Sequence, residues 1–378
     1  MTRHKRRKIA GIVRLCILLG FPLMIAFVIK GIPAMRNFLD KVGSIRIENS
    51  TETVITGTSV QETSGTEKTD RFTTTQAVTE KEPSTDVLTE TENPLEKTPE
   101  NAGDKPYPTS WTAGGAIIRT TYGQYSGNTF FNLDNGGQVN NQSSIPNETL
   151  LSESRCGADF TVEDTSEPLV LIYHTHTTES FEPYVRDFYD ANFNYRTTDE
   201  TKNMVMVGDA IQAELEAQGI GVVHARDIHD YPSYNGSYSR SRETILPILE
   251  QYPSIKVVLD IHRDAVAGEG VAYQPYVEIN GKESAQIMII SGCDDGTLGM
   301  PDFMKNFHFA CRLQEQFEND YSGLTRPILF DYRHYNQDLT TGSLLIEVGS
   351  HGNTLEQVQY AGQLIGSALG RLLNSMKG

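Results

Sequence analysis

The chain is poor in cysteine, in positive charge and in the signatures of several common enzyme classes. Of its 378 residues only four are cysteine: Cys16, Cys156, Cys293 and Cys311. None belongs to a Cys-x-x-Cys pair, which argues against a cysteine-built zinc cluster. Cys16 falls in an apolar N-terminal run, and the other three are an odd number for a disulfide framework, so buried or free thiols are expected. Basic residues number 32 against 49 acidic ones, a formal net charge of −17. A general electrostatic grip on nucleic acid or on an anionic membrane is thereby excluded. There is no Gly-x-Ser-x-Gly elbow, which speaks against a serine hydrolase built on Ser343, Ser350 and His351, and there is no phosphate-binding loop. Hydrophobic residues make up 38%, low for a chain that packs throughout. Part of it is expected not to fold.

The composition changes along the chain. Residues 1–8, MTRHKRRK, form a basic tail, and an apolar stretch follows over 9–32, interrupted by Arg14. Arg14 sits near one end and can snorkel, so the stretch is expected to be a transmembrane anchor. The basic tail would stay in the cytoplasm, so a single-pass membrane protein with its folded part extracytoplasmic is expected. The run is long for a signal-peptide core, and no small-x-small cleavage site follows it. Residues 44–106 are rich in Thr, Glu, Ser and Pro, with too little apolar surface to offset chain entropy; they read as a disordered acidic linker that gives the next part reach. Residues 107–168 regain aromatics but are rich in Gly and Asn, as in NLDNGGQVNNQSS, and read as an accessory segment of loops or short hairpins.

From 169 to 378 strand-like and helix-like segments alternate. Short apolar runs at Leu169–Tyr173, Ile220–Ala225, Ile255–His262, Ser284–Ser291 and Gly342–Ser350 predict buried strands. Helices are expected over Glu200–Gln218, Arg240–Gln251, Phe303–Phe317 and Thr354–Leu373. This order predicts an α/β domain with a mixed, largely parallel sheet and helices on both faces.

In such sheets ligands bind beyond the carboxyl ends of the strands, and three of these strands end in metal-type residues. The first runs into His174-Thr-His176-Thr-Thr-Glu179, the third ends at His262, and the last carries Glu347. His176 and Glu179, three apart on a tight turn, can face one ion, with His262 arriving from a neighbouring strand. Two His and one Glu leave a position for water on a catalytic zinc, and one Zn2+ is the expected cofactor. Hydrolysis also needs a carboxylate outside the ligand set to move the proton. Glu347, in an otherwise apolar strand, is the candidate, because a carboxylate there is costly without a partner. His174 is the alternative to His176. Arg263 either holds a substrate carboxylate or pairs with Asp264, and His351 either lines the cleft or caps it. Thr177 and Thr178 are expected to orient ligands, while His224, His229, His308 and His334 show no partner pattern.

Three blocks, LVLIYHTHTTESF (169–181), VVLDIHRDA (257–265) and YNQDLTTGSLLIEVGSHGNTLEQV (335–358), together resemble the stage II sporulation protein P family. The resemblance implies a zinc-dependent N-acetylmuramoyl-L-alanine amidase with a fold similar to zinc amidases and carboxypeptidases. His176, Glu179 and His262 would be its ligands and Glu347 its catalytic carboxylate. Related amidases place their Glu ligand further along the chain, which makes Glu200 the alternative to Glu179. The resemblance further implies a peptidoglycan substrate, endopeptidase activity as a second cut, a role in forespore engulfment at the mother-cell membrane, and stage II sporulation proteins D and M as partners.

Overall fold

Alternation along the buried strands decides which way each side chain points. In β4 (Pro168–Tyr173), Val170 and Ile172 enter one apolar cluster while Leu171 and Tyr173 enter another. The same split occurs in β7 (Val257–Asp264), where Val257, Leu259 and Ile261 face the first cluster and Val258 the second. Successive strand residues point to opposite faces, so the sheet is buried on both sides, as near-continuous apolar strands require. The computed structural model describes residues 110–163 and 167–377.

The remaining elements follow in chain order. Before β4 come β1 (Ala113–Thr120), β2 (Phe130–Asn132), β3 (Gln138–Asn141) and α1 (Asn147–Glu153). After it come β5 (Phe188–Asp190), α2 (Met204–Ala217), β6 (Gly221–His224), α3 (Ser237–Gln251) and β7. Then follow β8 (Ala267–Gly268), β9 (Val271–Ile279), β10 (Lys282–Ala285), β11 (Ile287–Cys293) and α4 (Phe303–Asp320). The chain closes with β12 (Ile328–Tyr332), β13 (Gly342–Ser350) and α5 (Leu355–Ser375).

The main sheet has eight strands in the order β2-β3-β12-β11-β13-β7-β4-β6. Its pairings are parallel except for β2 with β3 and β11 with β13. Residues of α2, α4 and α5 fill the first cluster, including Val207, Ile211, Phe307, Leu313, Leu364 and Ile365, and Ile245 of α3 fills the second. The mixed, largely parallel α/β sheet with helices on both faces is therefore what the chain forms. Each of these buried apolar side chains contributes on the order of 1.5–3 kcal/mol.

The helices start where the local chemistry places them. The periodicity suggests a start at Glu200 for the first long helix, but α2 begins at Met204 because Asn203 caps it, its side chain accepting from Val205 N. Thr354 and Gln357 form a reciprocal capping box at the head of α5. Helices α2 and α5 meet on small residues. A Cβ built at Gly362 would lie 2.9 Å from Val207 O, and one at Gly366 would lie 2.5 Å from Ile211 O.

The segment 107–168, as far as it is described, is woven into two sheets. The hairpin β2-β3 extends the main sheet through β12. Strand β1 lies between β5 and β9 in a second sheet of order β10-β9-β1-β5, with β8 paired to β9. The three described cysteines are free thiols, Cys293 and Cys311 buried and Cys156 exposed.

One expectation is corrected. Among the described residues no helix is long and apolar enough to cross a membrane. The longest, α5, carries Glu356, Gln357, Gln359, Gln363 and Arg371 along its length. The expected basic tail, the span over 9–32 and the linker over 44–106 lie outside the described residues, and the single-pass membrane placement is not retained.

Candidate active site at the strand ends

The loop leaving β4 is held by its own threonines. Thr175 donates to Asp260 twice, from its N to Oδ1 (2.9 Å) and from its hydroxyl to Oδ2 (2.7 Å). Thr178 does the same with Asp230 (3.0 and 2.7 Å), and the Thr177 hydroxyl donates to the His174 carbonyl (2.9 Å). Glu179 N donates to His176 O (3.1 Å), closing the turn that puts the two side chains together. These four threonine and carboxylate contacts fix the loop without any regular secondary structure.

His176 and His262 meet edge to face with ring centroids 5.2 Å apart, and His262 Nδ1 lies 4.0 Å from Glu179 Oε2. His176 also stacks flat on Tyr234 at 4.4 Å and abuts Tyr238. Burial, and then the charge on His262, hold the His176 imidazole well below its ordinary pKa, so it is neutral; its Nδ1 is buried without a partner. Burial acts in the same sense on His262, but Asp260, Glu179 and Glu347 outweigh it and lift its pKa to about 9. Its Nε2 stands 2.8 Å from Asp260 Oδ1, an ion-pair distance without the alignment of a hydrogen bond.

Glu347 reaches the same place through register. Strands β13 and β7 run parallel with Glu347 opposite His262, so both side chains leave the same face of the sheet. The residue keeps some exposed surface, yet its Oε2 is buried and has no partner. Burial, then Asp264 and Glu179, raise its pKa to about 8, against the opposing pull of His262. The arrangement therefore gathers two imidazoles, the Glu179 carboxylate and the Glu347 carboxyl, whose pKa burial pushes up.

The other candidates have different surroundings. His174 is fully buried and has both ring nitrogens engaged, Nδ1 with Ile261 O (3.0 Å) and Nε2 with His224 Nε2 (2.9 Å). Glu200 pairs with Arg226 at 3.0 Å, its side chain half exposed. Arg263 donates to the carbonyls of Ser180 (2.8 Å), Tyr195 (3.1 Å) and Asp264 (3.4 Å), so its guanidinium ties the loop after Glu179 to the end of β7. The Asp264 carboxylate pairs instead with Arg326 at 2.8 Å. His351 packs against Tyr195 with ring centroids 5.2 Å apart; burial, then Arg263, push its pKa down to about 3.

Several participants were not foreseen. Asp260 lies two residues before His262 and therefore on the same face, and a carboxylate in a buried strand signals a partner. That signal was present in VVLDIH, as it was for Glu347. Asp230, Tyr234 and Arg196, which is 3.4 Å from Glu179 Oε1, come from loops with no readable pattern. His308, which showed no partner pattern, lies between two carboxylates. Among the described residues, a set of donor atoms all within 4.8 Å of one another is formed by Glu153, Cys156 and His308, away from the strand ends.

Fold and site define a mixed α/β protein with a cluster of histidines and carboxylates at the ends of its parallel strands. The profile of the family Stage II sporulation protein P (SpoIIP) matches residues 33–370, and the chain belongs to that family. It is 31% identical over 204 residues to the Stage II sporulation protein P of Bacillus subtilis (strain 168), covering 51% of this chain and 48% of that protein. The match thus spans about half the length of the curated relative. Among solved structures, the chain is similar to the N-acetylmuramoyl-L-alanine amidase AmiC2 of Nostoc punctiforme (13% identity, 55% of this chain and 96% of that one, TM-score 0.34). It is also similar to the CwlD amidase from Clostridioides difficile, solved with the GerS lipoprotein (12% identity, 55% and 99%, TM-score 0.35).

Proposed function

We propose that this chain is a zinc-dependent peptidoglycan hydrolase, an N-acetylmuramoyl-L-alanine amidase with peptide-crosslink cleavage as a second activity, remodelling septal wall during forespore engulfment. Membership of the SpoIIP family supports the sporulation setting. The observation that carries the chemistry is the register of β13 on β7, which sets Glu347, its Oε2 buried and unpartnered, beside His262, itself beside His176 and Glu179.

The donor set suits zinc: two imidazoles and one carboxylate are borderline ligands, and His176 presents a buried Nδ1 that nothing in the protein satisfies. His176, Glu179 and His262 would hold the ion. When bound, zinc acidifies a water and polarises the scissile carbonyl. Asp260 braces His262 from behind, leaving Nδ1 on the side of Glu179. Glu347 takes a proton from the attacking water and hands it to the leaving amine. A buried carboxyl with an unpartnered oxygen suits a group that must both accept and return a proton. Peptidoglycan is the substrate, and stage II sporulation proteins D and M are the partners that the family resemblance suggests.

The test is digestion of purified cell wall by the intact protein and by Glu347→Gln. The parent should release free stem peptides from intact glycan strands. The variant should keep its metal content and lose roughly 100- to 10,000-fold in rate. Hydrolysis that survives the change removes Glu347 from the role. Products that are cut peptides still attached to glycan reduce the activity to that of an endopeptidase, and no product at all from the metal-loaded parent leaves a wall-binding scaffold.

A further inference from the structure

Away from the strand ends, the turn that terminates α1 sets two donors side by side. Cys156 N donates to Glu153 O (2.9 Å), so the Glu153 carboxylate and the Cys156 thiol are separated by a single turn of chain. His308 reaches them from α4; it is 8% exposed, and its Nε2 lies 2.7 Å from Glu153 Oε2. One donor atom from each of the three falls within 4.8 Å of the others. On its far side, His308 Nδ1 lies 2.6 Å from Asp159 Oδ2.

This line of carboxylate, imidazole and carboxylate is short of one positive charge. A neutral imidazole has one N–H and one lone pair, and an ionised carboxylate can only accept. His308 can therefore donate to one of its two carboxylates. The other contact sets lone pair against lone pair unless a second proton or a cation lies there. If Asp159 takes the Nδ1 proton, the Nε2 lone pair is turned toward Glu153 and Cys156. A carboxylate that fixes the tautomer of a ligating histidine in this way is the usual companion of metal-bound imidazole.

We propose that Glu153, Cys156 and His308 form a second cation site, separate from the proposed catalytic one, with Asp159 as the positioning residue for His308. One nitrogen, one oxygen and one sulfur donor select a borderline, thiophilic divalent ion such as zinc. Calcium and magnesium, which take all-oxygen shells, do not match it. Three protein donors leave a fourth position for water. The site joins α1, which belongs to the 107–168 segment, to α4 on the main sheet, so the bound ion staples that segment to the sheet.

Cobalt is the probe, because a thiolate bound to Co2+ gives a charge-transfer absorption that imidazole and carboxylate ligands do not. Titration of the intact, reduced protein should give that band together with one more bound equivalent than Cys156→Ser. The exposed Cys156 can be replaced without disturbing the core, and the variant should lose the band and that equivalent only. His308→Gln should weaken the band-forming equivalent by at least about tenfold. No thiolate band in the parent means that a second proton on His308 serves this cluster, and the proposal fails. It fails equally if the band persists in Cys156→Ser. Because the readout is the sulfur band, the outcome is independent of whether the strand-end site binds metal or cuts wall.

Discussion

Replacing Asp260 with Asn tests the wiring of the proposed catalytic site without touching any ligand. The carboxylate is 1% exposed and faces Thr175 N (2.9 Å), the Thr175 hydroxyl (2.7 Å) and His262 Nε2 (2.8 Å). The amide oxygen of Asn can take the place of Oδ1 opposite Thr175 N. The amide nitrogen then meets the Thr175 hydroxyl, which can rotate to accept from it and still donate to Ser241 Oγ at 2.9 Å. The hydrogen bonds are largely recoverable, so the fold should lose only about 1–2 kcal/mol, the difference between charged and neutral bonds.

The charge is not recoverable. Asp260 is the carboxylate that lies against His262 Nε2, at 2.8 Å, on the side of the ring away from Glu179. Without it, zinc affinity should fall roughly 10- to 100-fold, or about 1.4–2.7 kcal/mol. Competition against a chromophoric chelator measures the affinity, and thermal melts in excess chelator measure the fold separately. A variant that melts within about 2 kcal/mol of the parent and binds zinc just as tightly would refute the argument that Asp260 holds His262 as a ligand.

Two further predictions concern the frame around the site. Gly366→Ala should gain about 1 kcal/mol from helix propensity. It should nevertheless be destabilising overall, by about 1–3 kcal/mol, because the new methyl would lie 2.5 Å from Ile211 O and 2.8 Å from Glu214 Cβ; an unchanged or raised melting temperature would show that α2 and α5 can separate freely. Asp338 accepts from both ends of the Arg242 guanidinium (2.7 Å each) and lies 3.1 Å from His334 Nε2. Burial raises its pKa, but the bonds from His334 and Arg242 prevail and hold it well below the carboxylate range. A depressed folded pKa contributes stability that is fully present above the unfolded value, near 4, and is lost as pH falls through the folded one. Asp338→Asn should therefore cost about 1–2 kcal/mol at neutral pH. The gap between denaturant melts of the two proteins should begin to narrow only as pH falls below about 4 and close near the much lower folded pKa, and a gap that does not change with pH would contradict this.

How far the fold could be read from the sequence depended on burial. Strands covered on both faces, such as Pro168–Tyr173 and Gly342–Ser350, are apolar runs and were legible within a residue or two. The second sheet was not. Strand β1 is exposed at most of its positions and contains Gly114 and Gly115, so it resembles a loop. The glycines have a packing cause, because a Cβ at Gly115 would lie 2.3 Å from Gly270 O and 2.5 Å from the Tyr189 ring. The expected strand Ser284–Ser291 is divided between β10 and β11 by Gln286. Its side chain bonds Tyr122 N, Tyr122 O and Gly323 O, which draws the chain out of the ladder. Contacts between residues some 160 positions apart leave no local period to detect.

The candidate site was readable for a narrower reason, which also says where such reading stops. Side chains in a strand have a period of two, so in β7 Asp260 and His262 share a face while Ile261 does not. Pairing Leu345 with Asp260 and Glu347 with His262 then puts the second carboxyl on that same face. A slip of one residue between β13 and β7 would turn Glu347 into the cluster now filled by Leu344, Ile346 and Val348. The register is therefore held by burial of the aliphatic residues on the opposite face, and each polar residue that breaks an apolar strand reports which way that strand faces. That argument reaches Glu347 and His262 and would have reached Asp260. It cannot reach Asp230 or Tyr234, which sit in loops whose direction is set by distant partners, or Glu153, at the end of a short helix.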